Sequence, residues 1–188
     1  MVASGGRPGR AAERTLMHEF AYTVRGFLTM RRDSVRIPLS GSLTVHADLG
    51  SGLFSGDLVL HESTIERQVL GVGLFRGTVQ IMAGSPVIGR IDQDGSLFAA
   101  VTVEAVITGA RTAGRTLLGN GSCRTASQAI VPLRSQPGFS LERGGRVAGR
   151  YYRPPFTGCG WLTPIVNLLA TGSGNAAVID LVPVTPAA

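Results

Sequence analysis

The chain has 188 residues, 44% hydrophobic and 16% charged, which suits one domain with a buried core and excludes disorder as its main state. No apolar run approaches the roughly 18 residues that a membrane-spanning helix needs; the most apolar stretch runs only from Trp161 to Ala170. The formal charge of +6 is carried entirely by arginine on the basic side, a set that GC-rich coding explains as readily as selection for bidentate anion binding.

That charge is unevenly spread. Residues 1–36 hold seven Arg against three acids, residues 37–109 three Arg against seven acids, and residues 110–153 eight Arg against one acid. Such asymmetry can attract a polyanion such as a lipid head-group layer or a wall polymer. An ordinary solvated sheet face gives the same pattern.

In chain order, residues 1–17 form an arm ahead of a single β-rich domain over 18–188. The opening MVASGGRPGRAAERTL lacks the apolar segment of a secretory signal. From Glu19 a period of two begins, with Phe20, Tyr22 and Val24 on one face and Glu19, Thr23 and Arg25 on the other. That alternation marks a half-buried strand. Val35, Ile37 and Leu39 continue it, then Leu43 and Val45, up to a turn at Gly50-Ser51-Gly52.

An internal echo follows. Gly52-Leu53-Phe54-Ser55-Gly56 is answered by Gly73-Leu74-Phe75-Arg76-Gly77, and more weakly by Leu97-Phe98-Ala99. A spacing of about 22 residues predicts a hairpin-sized unit repeated in a meander. Further strands are expected at 86–92, 97–109, 114–119, 127–133 and 146–152. The 26 glycines lie between these runs and supply turns and bulges. Many short strands predict an all-β fold, an antiparallel barrel or sandwich, and closure into a barrel would remove exposed edges.

One short helix is expected near 164–170. Thr163 suits its N-cap, Pro164 its first position and Gly172 a left-handed residue past its end. Ile165, Val166, Leu168 and Leu169 make its apolar stripe. A turn at Gly172-Ser173-Gly174-Asn175 then leads to a last strand through Ala177, Ile179 and Leu181, ending near Pro183, which cannot donate to a ladder.

Two cysteines are present, in the turn-like contexts Gly121-Ser122-Cys123-Arg124-Thr125 and Gly158-Cys159-Gly160. A bridge between them would stabilise the fold by roughly 3–4 kcal/mol in the chain-entropy model; two unrelated thiols in a reducing compartment is the other reading. They do not make a zinc set.

Catalytic patterns are missing. His61-Glu62 opens no metalloprotease motif, because residue 65 is Ile, and there is no nucleophile elbow. Gly71-Val72-Gly73 fails the dinucleotide fingerprint at Arg76. Asp57, Asp92, Asp94 and Glu104 could hold a glycosidase-type pair. A hydrolase would need two or more of Asp57, Glu62, Glu66, Asp92 and Glu104 to converge in a cleft. No catalytic residue, metal or cofactor is assigned. Tyr151 and Tyr152 beside Arg150 and Arg153 suggest nucleic acid only weakly, since they also suit a strand entering a rigid Pro154-Pro155 loop.

The array G-S-C-R-T at 121–125, G-R-V-A-G-R-Y at 145–151, P-P-F-T-G-C-G at 154–160, T-P-I-V-N-L-L at 163–169 and G-S-G-N at 172–175 resembles a family of small secreted β-rich proteins of actinobacteria, of mycobacterial type. The resemblance runs from about residue 18 to the C-terminus. It implies an exported, envelope-associated protein with Cys123 joined to Cys159, and it supplies no activity. The chain departs from it at its start, where a signal peptide is expected.

The leading expectation is a non-catalytic envelope protein that binds a lipid or other apolar ligand inside the barrel or sandwich. Arg111, Arg115, Arg124, Arg150 and Arg153 are the candidates for meeting an anionic group. The alternative is a structural or adhesive surface module that binds a partner protein or anionic wall polymer through residues 111–153. An interior cavity separates the two, because a filled core favours the module.

Overall fold

The computed structural model describes residues 17–30, 36–69, 73–112, 115–118 and 123–184. The strands are β1 (Met17–Thr29), β2 (Arg36–Asp48), β3 (Leu53–Leu60), β4 (Ser63–Val69), β5 (Gly73–Ala83), β6 (Val87–Ile91) and β7 (Leu97–Thr112). They continue with β8 (Arg115–Leu118), β9 (Cys123–Thr125), β10 (Ala129–Ser135), β11 (Gly145–Arg153), β12 (Phe156–Thr157) and β13 (Gly172–Pro183). A 3-10 turn (Gly160–Leu162) and the helix α1 (Thr163–Ala170) lie between β12 and β13.

Eight of these strands close a ring in the order β1-β2-β3-β6-β7-β10-β11-β13, with β13 returning to β1. Every pairing is antiparallel. The fold is therefore an all-β antiparallel barrel. Strict alternation makes this possible: in β2, Ile37, Leu39, Leu43 and Val45 point inward while Arg36, Pro38, Ser40 and Ser42 face solvent. An eight-stranded ring is just wide enough for side chains to fill.

Close approach of neighbouring strands demands glycine at two inward positions. A Cβ on Gly41 would lie 2.0 Å from the Val59 carbonyl oxygen, and one on Gly149 would lie 1.7 Å from that of Pro132. Inward glycines let the strands bend sharply without a side chain in the way.

The 16-residue β7 does two jobs. Residues 97–103 are barrel wall between β6 and β10. Residues 103–112 run on past the barrel, pairing with β5 on one edge and with β8 and β9 on the other. The outward run of β5 and β4 is thus a flap beyond the ring. This corrects the repeat: β3 pairs with β6 and not β4, so β3 and β5 occupy unlike places. Their similar sequences encode similar alternation, and alternation does not choose a partner strand.

The two ends of the barrel are closed differently. At one, the 136–144 loop folds Phe139 and Leu141 toward the core, and the Tyr22 hydroxyl donates to the Leu141 carbonyl; this is the plug end. At the other, the helix end, β9, β12 and α1 cover the interior. Cys123 and Cys159 form a disulfide there, with both residues buried and their Cα atoms 4.3 Å apart.

Other expectations shift by short distances. Met17 already belongs to β1, and the rest of the expected arm, residues 1–16, lies outside the described residues. Thr163 is the first residue of α1 rather than its cap, because the 3-10 turn feeds straight into the helix, and its hydroxyl donates back to the Gly160 carbonyl at 2.8 Å. Gly172 has a positive φ of 125° but is the first residue of β13, so residues 172–175 are strand. The short β9 and β12 have no counterpart among the expected strands.

Candidate functional site

The five candidate arginines do not form one patch. Arg111 lies on the β7 extension, opposite Arg76 of β5 and Thr116 of β8, and Arg115 lies opposite Thr112. Both are exposed. Glu66 meets Arg76 at 2.5 Å, so the row Glu66, Arg76, Arg111 crosses the flap. Arg124, on β9, sits between Val106 and Thr157 and reaches Glu104 at 3.5 Å. Arg150 faces solvent on β11, while Arg153, three residues on, is only 3% exposed.

Arg153 is the exception to the charge logic of the surface. Its Nη2 donates to the Tyr151 hydroxyl, and its guanidinium lies 5.6 Å from the centre of the same ring. Tyr151 is buried, and so is Asn175, its partner across the β11–β13 ladder. The Asn175 amide donates to the Gly172 carbonyl at 2.7 Å. Among the described residues no carboxylate reaches Arg153.

The stripe expected on α1 faces the other way. Ile165 is 42% and Leu168 62% exposed, three residues apart on one side of the helix, and Trp161, in the 3-10 turn just ahead of it, is 68% exposed. Val166 is the stripe residue that packs against the core, with Leu162 and Ala170 buried at the helix ends. The helix is pinned by Asn167, whose Oδ1 accepts from Phe156 N at 2.6 Å and whose Nδ2 donates to Phe156 O at 3.0 Å. The side-chain amide thereby pairs with β12 as another strand would.

The carboxylates are held one at a time. Asp92 engages Arg90 at 3.0 Å in the plug-end β6–β7 turn, whereas Glu62 accepts from Thr108 at 2.9 Å beyond the helix end. Asp57 is exposed on β3. Asp94 accepts from Ser96 N at 2.8 Å, and that backbone bond holds its carboxyl below the ordinary value. The bidentate hydrogen bond from Arg146, at 2.7 and 3.1 Å, does the same for Asp180. These are turn and ladder roles, and the five acids named for a hydrolase do not converge. His46 lies 3.7 Å from Glu19 and His18 is near Phe20; among the described residues no three His, Cys, Asp or Glu side chains gather as a metal site.

The interior is nearly full. The space left free is about 40 Å³, and its lining is wholly apolar, including Val24, Phe54, Val101, Phe139 and Leu141. No lipid chain fits such a volume unless side chains move.

Three features escaped the sequence: the exposure of the α1 stripe, the burial of Arg153, and a row in which Phe98 lies between Arg90 and Arg134, at 5.0 and 4.4 Å from its ring centre. The row was findable in principle, since all three side chains occupy outward places of their strands, but only register brings them together. No family model matches the chain, and neither the curated proteins nor the solved structures contain a match.

Proposed function

We propose that this protein is a non-catalytic module of the cell envelope that docks on an anionic lipid surface through α1. The observation that carries this reading is the exposure of Ile165 and Leu168 on α1 and of Trp161 on the 3-10 turn that leads into it, an apolar strip turned to solvent on a helix that is fastened at its base. Tryptophan favours the membrane interface, and amphipathic helices seat their apolar side at the head-group boundary when cations flank it.

The charge around the strip suits that partner. No acid occurs between Glu142 and Asp180, and of the arginines in that interval Arg150 faces solvent near the helix end of β11, whereas Arg143 and Arg146 lie at the plug end and Arg153 is buried. The β9–β12 pairing adds Arg124 beside the base of the helix. The disulfide favours export, because such bonds persist in oxidising compartments. No helix among the described residues is long and apolar enough to cross a membrane. Carriage of a lipid inside the barrel has less support, given a free interior of about 40 Å³ against the ~300 Å³ or more of ordinary ligand pockets.

Trp161 is the sole tryptophan, so its emission reports directly on the strip. With vesicles of equal phosphatidylglycerol and phosphatidylcholine, the emission is expected to shift to the blue and the protein to co-sediment. Pure phosphatidylcholine should bind at least tenfold less. Ile165→Glu should abolish the shift. Co-sedimentation without a change in Trp161 emission would move the contact to Arg111 and Arg115 and favour a polymer-binding module. No binding to either vesicle would end the lipid reading.

A further inference from the structure

We propose that Tyr151 and Arg153 form a buried seat for an oxyanion, a carboxylate or phosphate group, at the helix end of the barrel. The starting point is an unbalanced charge. Arg153 is 3% exposed, yet its hydrogen bond among the described residues goes to a neutral phenol, the Tyr151 hydroxyl. A guanidinium has five N–H donors in a rigid fork and stays charged at any pH a protein survives. Buried charges are ordinarily paired with an opposite charge or a bound ion.

Among the described residues, the surrounding elements provide no such partner. β9, β12 and α1 contain no acid, and the one acid on β13, Asp180, is taken by Arg146 on the outer face. The phenol completes the seat: having accepted from Arg153, it keeps its own proton to donate to the same oxyanion. A planar fork beside a hydroxyl donor matches a carboxylate or phosphate, which accepts bidentate hydrogen bonds. This inference does not depend on the docking of α1; either can fail alone.

Equilibrium urea unfolding tests it, because unfolding and refolding expose the covered site to ligand. Midpoints are compared in inorganic phosphate, in octanoate and in chloride at matched ionic strength, for the wild type and for Arg153→Met. Methionine keeps much of the volume and removes the charge, and it controls for the general stabilising effect of phosphate. At a ligand concentration of about a hundred times Kd the wild type should gain stability equal to a roughly hundredfold change in its folding equilibrium, and Arg153→Met should gain none of that increment. Stabilisation by both ligands would identify a head-group site open to free anions; stabilisation by octanoate alone, abolished by the substitution, would identify an amphiphile.

If Arg153→Met does not fold, Tyr151→Phe serves in its place and should weaken the anion effect about tenfold, the worth of one charge-assisted hydrogen bond. Equal midpoint shifts in wild type and variants would overturn the proposal, as would no shift in the wild type.

Discussion

Single side chains set how the barrel is sealed. Tyr22 stands on the inward face of β1, and its hydroxyl reaches the loop that stops the plug end. Burial pushes its phenol up to about 12, from an ordinary value of 10.0. A raised folded-state value means that the contribution of this group to stability is complete below pH 10 and is lost as pH rises from 10 through 12. Tyr22→Phe should cost about 1–2 kcal/mol at neutral pH, the loss of a hydrogen bond to a partly covered carbonyl. It should also remove this group's share of the alkaline loss. Urea midpoints at pH 7 and pH 11, for both proteins, check the two statements together.

At the scale of elements, α1 is a graft and not a core helix. Eight residues are too few to hold a helix alone, so its order derives from its fastenings to β12 and β9. Removing them separately should give different results. Asn167→Ala leaves both backbone groups of Phe156 without their partner and should cost about 2 kcal/mol, with the disulfide intact. Replacing Cys123 and Cys159 together by Ser should cost roughly 3–4 kcal/mol. In both variants Trp161 emission should lose anisotropy, because the strip is freed from its base. An unchanged anisotropy in Asn167→Ala would show that the disulfide holds the helix unaided.

Over the whole molecule, stability should follow closure. Strands β1, β2 and β13 are paired on both edges within the ring, whereas the flap strand β4 pairs on one edge with β5. Amide hydrogen exchange should therefore divide the chain in two. Amides of β1, β2 and β13 are expected to exchange only on global unfolding, with one common dependence on urea, while those of β4 and the outer half of β5 open locally and earlier. Exchange of both regions with the same free energy would mean that the flap is an integral part of the barrel's cooperative unit.

Much of this architecture was legible in the chain. Alternation in Phe20–Val24, Ile37–Val45 and Leu97–Val103 announced half-buried strands, since a period of two has one structural meaning when one face must be dry. The cysteine contexts pointed to the bridge, and Thr163-Pro164 with Gly172 bracketed the helix to within a residue or two. Partner choice was not legible, because identical alternation in β3 and β5 permits either to join the ring. Only closure, which requires β10 to meet β7, sends β5 outward as a flap.

The candidate site divided in the same way. Sequence supplied the arginines and an apolar helix stripe, but it could not assign a side of the sheet to Arg153 or a direction to Trp161. Burial is a property of what lies opposite, and what lies opposite is set by long-range pairing. Local periodicity and cap residues thus determined a β-rich domain with one short helix, and the cysteine contexts left a bridge as one of two readings. Tertiary structure alone decided that the ring is closed and nearly full, that one arginine is enclosed in it, and that the helix shows its apolar face to the outside.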